Sequence, residues 1–355
     1  MLPPRYRPLT TTVMPGGFGS VQKVQDTYLD RAVLFKSMQD ANNNDQLLNE
    51  IQGLSQARSR HVVEIYDVIK SQNGDVQGII IEYLGGEGYT DFHLKAKSDP
   101  HLYVKVLYQI GCALRDLHAA GITHRDLKLE NMKNSDSGVL KLFDFGISVS
   151  GVDYRTKMNR GTLVYAAPEL YIPHAVITTA MDIYAFGVCA WALASDSYPR
   201  ELLERPPQQS SRAPSIETVL PGLLHPEIVQ MIDACLAPDP GLRPSADVLS
   251  KVFAHHLTRG MHKGLFSQGQ TAVFELSSAK PNVNIQIGSL GTLKAGYDGL
   301  IFKVTGVSGH VYINNNAATI GMVLHESCVL TFGSPALGSG RQWVTFTSSQ
   351  PEVIL

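Results

Sequence analysis

His124-Arg125-Asp126-Leu127-Lys128-Leu129-Glu130-Asn131, followed by Asp144-Phe145-Gly146, is the stretch whose reading decides this chain. It gathers a carboxylate, a lysine and an amide in one short polar segment. A second carboxylate then follows the β-type run Val139 to Phe143 and precedes Phe145-Gly146, whose glycine frees the backbone. Asp126 can orient a hydroxyl and accept its proton. Asn131 and Asp144 supply oxygen ligands suited to Mg²⁺, a hard cation that bridges phosphates.

Toward the N-terminus lies Met14-Pro15-Gly16-Gly17-Phe18-Gly19-Ser20-Val21. A glycine-rich turn between two strands lets backbone N–H groups approach phosphates without Cβ interference. Alone, such a cluster is more often a plain turn. Lys36 ends the apolar strand Val33-Leu34-Phe35 and can reach phosphate oxygens; in isolation it would be a snorkelling surface lysine. Glu50 sits among Leu47, Leu48, Ile51 and Leu54 on a stretch with helical spacing. A carboxylate beside that apolar face wants a cation, and Lys36 can supply it.

In this order, the strings resemble a eukaryotic-type (Hanks-type) serine/threonine protein kinase over residues 6–257. The resemblance implies an α+β bilobal fold, with a β-rich lobe at about 6–84 and an α-helical lobe at about 85–257. It implies that Gly16, Gly17 and Gly19 cover the phosphates and that Val21 caps the adenine. Lys36 would pair with phosphate oxygens and with Glu50. Glu82, Tyr83 and Leu84 would form the interlobe hinge, whose backbone reads adenine, with Ile81 as gatekeeper. Asp126 takes the place of the catalytic base and Lys128 of the phosphate-side lysine, while Asn131 and Asp144 are the metal ligands. The implied cofactors are ATP and Mg²⁺, with Mn²⁺ able to substitute. The implied substrates are protein Ser/Thr hydroxyls, the enzyme's own among them.

Further landmarks carry the same resemblance. Ala167-Pro168-Glu169 looks like the end of an activation segment, with Glu169 expected to pair with Arg243. Asp182 resembles the buried aspartate that holds the catalytic loop, and Thr162 the residue that would bond Asp126 and Lys128. Thr156 is the first choice for an activating phosphosite, whose phosphate would dock on Arg125. Glu87 and Glu130 match positions where some family members meet a basic substrate residue. Three residues depart from the pattern: Met14 for the first loop glycine, Leu34 for the small roof alanine, and Lys133 for an apolar floor residue. A bulkier roof and a cationic floor would reshape the adenine slot. The alternative they raise is a kinase-like scaffold with little activity. The retained set of Lys36, Glu50, Asp126, Asn131 and Asp144 favours an enzyme.

Periodicity predicts helices from Leu102 to Leu117, Met181 to Ala194, Pro226 to Cys235 and Ala246 to His256. Residues 199–221 read as a surface loop with a short helix. Residues 258–270, punctuated by Gly260, Gly264 and Gly269, read as a linker. Seven short strands are expected beyond it: Thr271–Leu276, Val283–Ile287, Leu300–Thr305, His310–Asn314, Ile320–Leu324, Cys328–Phe332 and Gln342–Thr347. They suggest a small all-β sandwich or barrel over residues 271–355. Gly309 to Asn315 and Cys328 to Gly333 resemble the latter half of a forkhead-associated domain, which would make phosphoproteins partners of this part. The upstream arginine and Ser-x-x-His signature of that family is absent, so an unrelated β-sandwich stands beside it.

Composition agrees with two parts. Of 355 residues, 44% are hydrophobic and 17% charged, enough apolar content for sizeable cores. Residues 259–355 hold only 10 charged side chains but 13 of the 31 glycines. A net charge of −2 argues against a nucleic-acid binder. Four cysteines without metal-ligand spacing read as reduced thiols of a cytoplasmic protein. The most apolar run, Ile183 to Ala194, is too short to span a bilayer, so no membrane partner is expected.

Overall fold

The computed structural model describes residues 2–10, 14–16, 19–37, 51, 55, 57–144, 162–269 and 272–355. The chain divides into two compact units, Met1–Phe253 and Ala254–Ile354.

The first unit begins with strands β1 (Tyr6–Pro8), β2 (Met14–Gly16), β3 (Gly19–Asp26), β4 (Arg31–Ser37), β5 (Ile65–Lys70) and β6 (Val76–Glu82). They form one sheet in the order β1-β3-β4-β6-β5, with β2 folded onto β3. Tyr6, Val24, Val33, Ile69 and Ile80 are buried on one of its faces. The other face, by register, carries Val21 opposite Lys36, Leu34 opposite Ile81, and Lys36 opposite Ile79. Alternation along β4 therefore aims Leu34 and Lys36 to the same side.

Helices follow: α1 (His93–Ala96), α2 (Pro100–Ala119), α3 (Ala180–Ala194), α4 (Arg200–Leu203), α5 (Pro226–Cys235) and α6 (Ala246–Leu257). Asp99 caps α2 by accepting the Leu102 N–H at 2.8 Å, with Pro100 at the first helical position. From Met181 to Ala194, α3 is buried all round and forms the centre of the helical part. Gly187 permits this: a Cβ there would meet Leu236 Cδ2 at 2.8 Å. Between α2 and α3 lies a two-stranded hairpin of β7 (Met132–Asn134) and β8 (Leu140–Leu142). Among the described residues, no helix is long and apolar enough to cross a membrane.

The second unit packs two antiparallel sheets around one core. One sheet has the order β10-β9-β17-β16-β14-β15, and the other is the meander β11-β12-β13. The strands are β9 (Gly264–Gln268), β10 (Ala272–Leu276), β11 (Asn282–Ile287), β12 (Gly291–Tyr297), β13 (Phe302–Gly309), β14 (Val311–Ile313), β15 (Asn316–Ala317), β16 (Ser327–Phe332) and β17 (Gln342–Ser348). Phe266, Phe302, Phe346 and Leu293 meet in the core between them.

Three expectations are corrected here. Residues 258–270 are not a plain linker, because β9 lies within them and pairs with both β10 and β17. β12 lies outside all seven expected strands. In both strands the glycines are close-packing positions: a Cβ on Gly264 would meet Phe346 at 2.7 Å, and one on Gly291 would meet Val311 at 2.8 Å. Residues 320–324 form no strand. Gly321, at φ 90°, breaks the extension, and the segment makes a single bridge between Val323 and Lys303.

Candidate active site

The segment from His124 to Asn131 is held from beneath. Asp182, 1% exposed in the first turn of α3, accepts the backbone N–H groups of His124 at 2.7 Å and Arg125 at 2.9 Å. It also bonds His118 Nε2 at 2.9 Å. Arg125 adopts φ 68°, a left-handed backbone conformation uncommon outside glycine. Leu127 and Leu129 plug into the core on either side of Lys128. His124 is fully buried, and burial lowers its imidazole pKa below the ordinary value.

This frame presents Asp126. Its Oδ2 accepts Lys128 Nζ at 2.7 Å and Asn131 Nδ2 at 3.0 Å. Asn131 Nδ2 also reaches the Asp126 carbonyl at 2.9 Å. Because the amide nitrogen is committed to Asp126, the amide oxygen of Asn131 is the atom left for a hard cation. The Phe143 N–H donates to the Asn131 carbonyl at 3.0 Å, which ties the loop to the residue before Asp144. Asp144, at φ 57°, forms an ion pair with Lys36, itself 6% exposed. Asp126, Lys128 and Asn131 are thus joined directly, and Asp144 is joined to Lys36 of β4.

The hinge expected at Glu82-Tyr83-Leu84 leaves the end of β6. Glu82 accepts Lys141 Nζ at 2.7 Å, and Lys23 Nζ lies 3.7 Å from the Tyr83 ring centroid. Leu84 is buried. Beyond it the chain runs against β7: the Gly86 N–H donates to the Asn134 carbonyl at 3.1 Å, and the Asn134 N–H to the Glu87 carbonyl at 3.0 Å. A Cβ on Gly86 would lie 2.6 Å from the Asn134 carbonyl oxygen, so this approach requires glycine. Lys133 is half-buried and pairs with Lys141 across the β7–β8 ladder, so both lysines share one face.

Gly16 and Gly19 pair directly at the turn between β2 and β3. Gly17, Glu50 and Thr156 lie outside the described residues, as does the side chain of Thr162. Glu169 and Arg243 meet in a two-pronged pair, at 2.7 Å on each prong. Three neighbours of the site escaped the sequence reading: His118, Lys23 and Lys141. Lys141 alone left a signal, as a charge set between Leu140 and Leu142 in an apolar run.

Comparison with known proteins follows the same residues. The protein kinase domain family matches residues 11–256, more than half of the chain. The chain is similar to serine/threonine-protein kinase drp72 of Corynebacterium efficiens, with 32% identity over 198 residues, 52% of this chain and 38% of that protein. It is also similar to the maternal embryonic leucine zipper kinase of Xenopus tropicalis, with 31% identity over 202 residues, covering 55% of this chain and 31% of the relative. For serine/threonine-protein kinase PknA of Mycobacterium tuberculosis, identity is 29% over 280 residues, 70% of this chain and 62% of that one. The chain therefore spans less than two thirds of the length of each of these relatives. With the Asp126–Lys128–Asn131 cluster and the Lys36–Asp144 pair in place, the chain belongs to the protein kinase domain family.

Proposed function

We propose that the chain is an active serine/threonine protein kinase that transfers the ATP γ-phosphate to protein hydroxyls. The observation that carries this reading is the joined state of the machinery: Asp126 is held by Lys128 and Asn131, and Lys36 meets Asp144. A scaffold has no physical need to keep a base joined to a phosphate-side lysine and an amide, and a second carboxylate paired with Lys36.

In the reaction, the substrate hydroxyl donates its proton toward Asp126 as its oxygen attacks the γ-phosphorus. The bond to the β–γ bridging oxygen breaks and ADP leaves. Lys128, beside Asp126, neutralises charge on the transferring group. Lys36 takes phosphate oxygens, with Glu50 as its expected second partner. Asn131 and Asp144 would hold Mg²⁺, which supplies charge neutralisation on the phosphates. Gly16, Gly17, Gly19 and Val21 would cover the nucleotide, and the backbone of Glu82 to Leu84 would read its base. The kinase domain is assigned to residues 6–257, and the β unit to targeting or regulation. The two stretches that carry the forkhead-associated likeness are neighbours in one sheet, with Val311 opposite Phe332. Four buried free thiols fit a reducing, cytoplasmic setting.

The test is phosphoamino-acid analysis of the full chain after incubation with labelled ATP and Mg²⁺, with and without a mixed Ser/Thr/Tyr peptide library. Label on serine and threonine supports the proposal; label confined to tyrosine, or none at all, contradicts it.

A further inference from the structure

Lys141 stands on β8 between Leu140 and Leu142, both fully buried, and is itself 7% exposed. An ammonium at that depth needs a partner. It has one in Glu82 at the end of β6, 2.7 Å away, and the same carboxylate oxygen accepts the Glu64 N–H at 3.2 Å. Glu82 is thus tied both to the strand beneath the cleft and to the segment entering β5. The next residue, Tyr83, is held from the other side by Lys23 of β3. Two cations on separate strands fix two consecutive residues whose backbone would face a base. β8 continues directly into Asp144, which pairs with Lys36. One short strand therefore connects the base end of the cleft to its phosphate end.

We infer that Lys141 is a positioning residue for nucleotide recognition: acting through Glu82, it sets the hinge backbone at the height that receives a purine base. Its ammonium is engaged by Glu82, so its role is to position the hinge rather than to bind nucleotide or substrate itself. This inference rests on the kinase reading and extends it to the base. It makes a separable claim, since a base-positioning strut should matter for ligands that carry a base and not for a bare triphosphate chain. A residue that merely stabilised the fold would weaken both classes of ligand together, or neither.

The experiment is calorimetric titration of the full chain with MgATP and with magnesium tripolyphosphate, alongside KM and kcat for ATP. In Lys141→Met, MgATP binding should weaken about tenfold, the loss of one charge-assisted contact, with KM rising in step and kcat within about twofold. Tripolyphosphate binding should stay within about twofold of the wild type. Lys141→Arg, which can still pair with Glu82, should restore MgATP binding to within about threefold. If Lys141→Met fails to fold, Glu82→Gln carries the comparison of MgATP with tripolyphosphate binding, without a claim on kcat, because it weakens the pair while keeping the side-chain shape. Unchanged MgATP binding in these variants, or an equal loss for tripolyphosphate, would overturn the inference. Wild-type protein that binds MgATP but transfers no label would instead overturn the kinase reading, so the two failures are distinguishable.

Discussion

Asp182 Oδ1 accepts the backbone N–H of Arg125 at 2.9 Å, and Arg125 is held there at φ 68°. Asp182 Oδ2 takes the neighbouring His124 N–H and the His118 ring. One buried carboxylate thus fixes the backbone immediately before Asp126. Replacing it by asparagine turns one acceptor into a donor facing N–H groups. Asp182→Asn should lower kcat by about 10²-fold, the scale of a misplaced catalytic group, with KM for ATP nearly unchanged. Steady-state kinetics checks this; a change in KM alone would speak against a strut for the loop.

The Glu169–Arg243 pair makes a prediction about stability. Arg243 also donates to the carbonyls of Ala237, Ala180 and Pro238, and its side chain is fully buried. Lysine keeps the charge but cannot serve these acceptors together. Arg243→Lys should destabilise the first unit by about 1–3 kcal/mol, through buried acceptors left unpaired. The urea midpoint at constant m-value reads this directly.

The catalytic strings were legible in sequence because each bundles several chemical groups at fixed local spacing: Asp126 to Asn131, Asp144 with its glycine, and Glu169 after Ala167-Pro168. Helices α2, α5 and α6 of the first unit were legible because their apolar periodicity is unbroken, as from Pro226 to Cys235, whereas α1, a single turn from His93 to Ala96, is too short to show any. What stayed hidden depends on distant approach. His118 meets Asp182 and Lys141 meets Glu82 across long stretches of chain, and no local pattern encodes either meeting. In the β unit, glycine misled the reading. At Gly264 it marks crowding by Phe346 inside a sheet, a use indistinguishable in sequence from a turn.

Two buried histidines set a pH dependence. His61 and His124 are both lowered from the ordinary value of 6.5, each chiefly by burial. Below that value the unfolded chain binds protons that the folded state resists. The contribution of these two histidines should therefore be complete above about pH 7 and be lost as the pH drops through 6.5, by at most about 1.4 kcal/mol per pH unit for each group. His61→Asn should remove part of this slope. Thermal melts from pH 7.5 to 5.5 test it, and a slope unchanged in the variant would contradict the assignment to His61.

Lys133, which the kinase resemblance puts beneath the base, tests the expected departure in the adenine slot. Binding a base above this half-buried lysine restricts its stem and its solvation. Lys133→Leu should lower KM for ATP about three- to tenfold, through a better apolar floor, without raising kcat. A higher KM in the variant would mean that the lysine assists binding instead.

The most direct test of the central claim compares wild type with Asp126→Asn in transfer of labelled γ-phosphate at saturating MgATP. Asparagine keeps the shape and the contact with Lys128 but cannot take the hydroxyl proton. Incorporation on Ser/Thr is expected in the wild type, and a loss of roughly 10²-fold or more in Asp126→Asn, with MgATP binding retained. Equal incorporation by the two proteins would contradict that claim.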